Sequence, residues 1–160
     1  MGKFRTLTRI KQGLAKEECE EVLHSSLRGV LAVNGDDGYP YATPINHYYD
    51  AESGKIYFHG GKIGYKIDCI KKSDKACFTV VDEGRKKDGE WWLTFRSVVV
   101  FGKIETISDP DAIREISRRL SYKFTKDEAY IDLEIEKYAP ATLLLAFSIE
   151  DMQGKTVREK

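Results

Sequence analysis

The chain has 160 residues, 41% of them hydrophobic, and no apolar run long enough to span a membrane, so a single domain over residues 1–160 is expected, with no membrane partner. Its 26 basic and 26 acidic residues cancel to zero net charge without a dominant basic stripe, which argues against nucleic acid as a partner. Cys19, Cys69 and Cys77 are odd in number and lack CxxC spacing, which argues against a disulfide framework or a zinc site and for buried reduced thiols.

Met1 to Gln12 is basic but has no apolar segment of the kind a secretory signal carries, so a cytoplasmic location is expected. Lys16 to Leu27 reads as a first helix, with Cys19, Val22, Leu23 and Leu27 at helical spacing and Gly29 as its stop. Val30 to Val33 reads as a strand, Asn34 to Gly38 as a turn and Tyr39 to Tyr49 as a second strand. After a turn at Asp50 to Gly54, Lys55 to His59 completes a three-stranded meander. Ile63, Ile67 and Ile70 then mark one face of a short helix, and Ala76 to Val81 returns to β pattern. Asp82 to Glu90 is polar loop. Trp91 to Ile107 is a long strand interrupted by Gly102, where a bulge is expected. Asp109-Pro110 opens a helix with Ile113, Ile116 and Leu120 inward, Asp127 to Tyr138 reads as another, and Ala141 to Ile149 as the last strand. The fold class is mainly β with a few helices, an antiparallel barrel.

Tyr57-Phe58-His59-Gly60-Gly61-Lys62-Ile63-Gly64-Tyr65-Lys66 is the segment richest in chemistry. Adjacent glycines let backbone N–H groups approach a ligand, a helix start adds unpaired donors, and lysine adds a full charge, which together suit a phosphate. Lys62 and Lys66, four apart, are expected on one side of that helix, where two cations oppose its dipole. His59 shares a strand face with Tyr57 and is either a partly exposed residue or a ligand-facing one. Pro44 removes a ladder donor from Tyr41-Ala42-Thr43-Pro44-Ile45-Asn46, so this strand belongs at an edge, as plain protection against aggregation or as a backbone surface for a flat heterocycle. Ser97 interrupts the alternate run Leu93, Phe95, Val99, Phe101, so a hydroxyl is expected on a buried face, bonded to a carbonyl or to a ligand. His24 and His47 read as structural or surface residues, and no histidine pair has metal spacing.

Three ordered segments, Tyr39 to Pro44, Tyr57 to Gly61 with Gly64 and Lys66, and Arg96 to Gly102 with Glu105, resemble the pyridoxamine 5′-phosphate oxidase-like flavoproteins, and most of all their nitroimidazole-resistance (Nim) branch. The resemblance implies an FMN-binding split β-barrel, antiparallel and Greek-key-like, forming a homodimer with the cofactor at the subunit interface. By position, Ala42, Thr43, Pro44, Ile45 and Asn46 would line the flavin ring, His59 and Gly60 would lie beside the ribityl chain and phosphate, Tyr65 and Lys66 would hold the phosphate with Lys62 as a further candidate, and Ser97 would reach the ring's polar edge. Other superfamily members carry basic residues where Tyr41 and Tyr65 stand, so the phosphate charge here rests on Lys66. The resemblance further implies an FMN-dependent reductase of a small electron-poor substrate, with His59 as the catalytic proton donor. The alternatives are a non-catalytic flavin-binding or storage protein and a haem-binding split barrel. No GxGxxG fingerprint marks a dinucleotide site.

Overall fold

Alternation of buried and exposed residues along the strands places one side chain in two against a common core. The computed structural model describes residues 3–159, so both ends of the expected domain, Met1-Gly2 and Lys160, lie outside the described residues. The strands are β1 (Arg28–Asn34), β2 (Pro40–Asn46), β3 (Tyr48–Asp50), β4 (Lys55–Gly61), β5 (Lys75–Val81), β6 (Arg85–Lys86), β7 (Leu93–Ile107) and β8 (Thr142–Arg158). The helices are α1 (Lys16–Ser25), α2 (Tyr65–Lys72), α3 (Pro110–Ser121) and α4 (Glu128–Tyr138). All strand pairs are antiparallel, in the order β2-β1-β5-β7-β8-β4-β3 with β6 attached to β7. The sheet curls into a half-barrel, the mainly-β split barrel that the sequence suggests. Phe58, Phe78, Phe147, Leu31, Val98 and Val100 fill it, each no more than 1% exposed.

The expected meander does not form. The run from Tyr39 to Tyr49 breaks at His47 into β2 and β3, which are neighbours in the chain but stand at opposite ends of the sheet order. His47 is fully buried, its Nε2 lies 2.8 Å from the Leu23 carbonyl, and its ring meets Phe78 edge-on at 4.9 Å. A carbonyl only accepts, so Nε2 carries the proton. The His47 carbonyl is taken in turn by Lys123 Nζ at 2.7 Å, which also donates to the Ser26 carbonyl at 2.7 Å. A tertiary contact therefore occupies a group that a continuous strand would need, and β4 pairs with β3 and β8 instead.

Other differences have equally local causes. Helix α1 ends at Ser25, and Gly29 is no cap: it lies inside β1, where any side chain would collide with the Phe78 ring. Strand β8 runs nine residues beyond the expected Ile149, because β7 offers it partners from Asp151 through Arg158. The bulge at Gly102 is present as a register shift, Phe101 facing Asp151 while Gly102 faces Ile149, so Glu150 is the extra residue. A side chain at Gly102 would run into the Ser148 carbonyl and the Phe147 ring. Helix α3 begins where Asp109-Pro110 predicts, with Asp109 accepting from the Ala112 N–H at 2.8 Å, and Asp127, expected inside α4, caps it instead by accepting from the Tyr130 N–H at 3.1 Å. Cys19 and Cys69 are buried and Cys77 is half-buried, all as free thiols.

Candidate active site

Strand β4 sends Ile56 and Phe58 into the core and turns Tyr57 and His59 outward. Strand β3 pairs with β4 only as far as Tyr57, so beyond that point only β8 pairs with β4, at Phe58–Gly61. Strand β2 is the other edge that matters here, as Pro44 requires, with Ala42 and Pro44 exposed and Thr43, Ile45 and Asn46 half-buried. Arg28 stands across the ladder from Asn46 and donates from Nε to its Oδ1 at 2.9 Å. Arg28, Pro44, Ile45, Asn46 and His59 surround an open cavity of ≈ 460 Å³. Asn46 and His59 also face a second cavity of ≈ 290 Å³ beneath the α3–α4 hairpin, floored by Leu120 and Ile135 and rimmed by Phe124, Tyr130 and Tyr138. The two cavities adjoin at His59 and Asn46.

Beyond the glycine pair the chain does not become helical at once. Lys62 and Ile63 lie in an exposed bend, Gly64 adopts φ 134°, a conformation that disfavours a side chain, and α2 begins at Tyr65. Lys62 and Lys66 therefore do not share a helix face. The start of α2 has no side-chain cap, leaving first-turn N–H groups available. Lys66 folds back over the strand, its Nζ 3.9 Å from where a Gly60 Cβ would stand. Among the described residues this half-buried ammonium has neither an ion pair nor a hydrogen bond. Tyr65 points elsewhere: its hydroxyl accepts from the Asp36 N–H at 2.7 Å and its ring packs edge-on against Tyr41 at 4.7 Å, tying α2 to the β1–β2 turn. Tyr65, expected at a phosphate, is thus engaged in a structural contact.

Electrostatics couple this group to the histidine. Removal from water lowers the His59 pKa below its ordinary 6.5, and the Lys66 charge lowers it further. Lys66 is itself pushed down by burial. An anion held beside Lys66 would offset its charge and raise the His59 pKa towards its ordinary value.

Ser97 is not brought to this cluster. The core face of β7 is Val98, Val100 and Ile104, so the run of Phe95, Ser97, Val99 and Phe101 faces outward, contrary to the expectation of a buried hydroxyl. Apolar spacing alone could not choose between the two faces of a strand whose both sides are apolar. Sequence reading also missed Arg28 and the α3–α4 wall. Arg28 had no signal of its own, since its relation to Asn46 arises from the β1–β2 register. Among the described residues no group of three or more His, Cys, Asp or Glu could hold a metal, and no helix is long and apolar enough to cross a membrane.

A split barrel with a lysine beside a glycine pair and a histidine opening onto a cavity agrees with the sequence profile described as pyridoxamine 5′-phosphate oxidase, which matches residues 15–156. The chain belongs to this family. No curated protein matches it in sequence. Among solved structures, a candidate 5-nitroimidazole antibiotic resistance protein from Bacteroides thetaiotaomicron superposes with a TM-score of 0.76 at 21% identity, covering 91% of this chain and 87% of that one. The conserved protein Rv2991 of Mycobacterium tuberculosis gives 0.78 at 18% identity, over 94% and 89% of the two chains. The FAD and heme binding protein of Mycobacterium smegmatis gives 0.70 at 23% identity, over 91% and 72%. At these identities the likeness shows the fold.

Proposed function

We propose that this protein is a flavin-dependent oxidoreductase that holds FMN at the β2–β4 edge and acts on a small electron-poor substrate, in the manner of nitroimidazole reductases. The observation that carries this reading is the placement of His59 between two adjoining cavities, beside Lys66, which has no partner among the described residues. The residues present fit the group: Lys66, the uncapped first turn of α2 and the side-chain-free surface of Gly60 and Gly61 supply the donors a phosphate needs. Arg28, Asn46 and the outer backbone groups of β2 suit the polar edge of a flat ring. When bound, the flavin supplies the electron transfer. The protein holds the phosphate through Lys66, keeps water from one cavity with the α3–α4 wall, and offers a proton at His59.

The family and the likeness to a nitroimidazole-resistance protein favour the Nim branch. A homodimer belongs to the same reading. Val30, Val81, Phe95, Val99 and Phe101 form a partly exposed apolar surface around Ser97 on the outer side of the sheet, and a second copy covering it would let Ser97 serve the partner's site. The test is an absorption spectrum of the purified protein, followed by steady-state turnover with a reductant and a nitroimidazole. Flavin bands with turnover support the reading, flavin bands without turnover make the protein a flavin carrier, and a Soret band would replace flavin by haem. Sedimentation giving a stable flavin-loaded monomer overturns the shared site.

A further inference from the structure

We propose that the cavity under the α3–α4 hairpin binds a small arylalkyl amine in its protonated form, its ammonium against Glu134 and its ring among the aromatic rim. This names the substrate class of the site proposed above and rests on that reading for its catalytic meaning, though not for binding. The cavity of ≈ 290 Å³ has room for one substituted ring, given that about 150 Å³ of apolar space accepts benzene. Its walls are mostly apolar, and Phe124, Tyr130 and Tyr138 stand 47%, 54% and 51% exposed at its rim, as hydrophobic groups awaiting a partner.

Among the described residues that line the cavity, Glu134 is the one acidic side chain. It is half-buried and, among the described residues, takes part in no ion pair and no hydrogen bond. Arg118 bridges Glu128 and Asp132, while Lys137 lies over the Tyr138 ring at 4.9 Å and feels the Glu134 charge without closing an ion pair with it. A carboxylate held beside exposed aromatic faces is the combination that recognises an organic cation, through a charge-assisted hydrogen bond and the ring quadrupoles. On the strand side of the same space stand Asn46 and His59, so a ring with its ammonium at Glu134 presents its far edge to His59. That places the part of the substrate to be reduced at the junction with the second cavity.

The test is titration of the full chain with benzylamine, benzyl alcohol and benzoate by calorimetry, with and without saturating FMN. Benzylamine is expected to bind about tenfold more tightly than benzyl alcohol, with no benzoate binding. In Glu134→Gln the preference for the amine disappears while benzyl alcohol binds as before, which also shows that the variant is folded. Equal binding of amine and alcohol, a preference that survives in Glu134→Gln, or no binding of millimolar amine overturns the proposal. FMN binding without amine preference rejects this inference and spares the flavin reading, whereas amine preference without FMN binding does the reverse.

Discussion

Replacing Lys66 by methionine tests the anion site most directly, because it removes the charge and keeps most of the stem. In the free protein Lys66 has no partner among the described residues and is partly withdrawn from water, so the substitution is expected to leave stability unchanged or slightly higher. With a phosphate present the balance reverses. A hydrogen bond to a charged group contributes about 1.5–3 kcal/mol, so FMN affinity should fall roughly ten- to a hundredfold. Riboflavin lacks the phosphate and should bind both forms alike. The assay is quenching of flavin fluorescence on titration with wild type and Lys66→Met, with riboflavin as the internal comparison. The same variant removes one of the two influences that depress His59, so its titration followed by NMR should move upward while burial keeps it below 6.5. An FMN affinity within twofold of wild type, or an equal loss for riboflavin, refutes the placement of the phosphate at Lys66.

His59→Ala should retain FMN and lose turnover; the wild-type rate should fall as pH rises through the His59 pKa, and the variant should lack that limb. Wild-type turnover in His59→Ala would remove it from the mechanism. Burial, with smaller contributions from Lys123 and His24, lowers His47 to about 4 in the folded protein. An unfolded chain with the ordinary value binds the proton first, so stability is full above pH 6.5 and declines towards pH 4, by about 3 kcal/mol in all. Urea unfolding across that range should show the decline, and His47→Gln should flatten it; a variant with the wild-type slope assigns the decline to other groups. Gly102→Ala should cost on the order of 3 kcal/mol through the collision with the Ser148 carbonyl, read as a lower thermal midpoint, and an unchanged midpoint would mean that the bulge can yield.

Much of the fold was legible because its signals are local. Asp109-Pro110 announces α3 through a cap that acts within one turn, Pro44 announces an edge through the donor it lacks, and Gly102 announces the bulge. His59 could be placed on the outward face of β4 by counting alternate residues. Ser97 could not be placed this way, since both faces of β7 are apolar and only the packing of Val98 and Val100 against the core decides which is inside. Lys62 and Lys66 were read on one side of a helix, and the bend at Gly64, with φ 134°, separates them.

The sequence by itself determined the strand-rich class, the four helices and the glycine-lysine segment beside an outward histidine. Tertiary structure alone decided the corner at His47, the pairing of Arg28 with Asn46 and the meeting of His59 with Glu134 around one cavity. The reason is distance along the chain: caps and alternation act between neighbours, whereas these contacts join residues that only the closing of the sheet and the docking of α3 and α4 bring together.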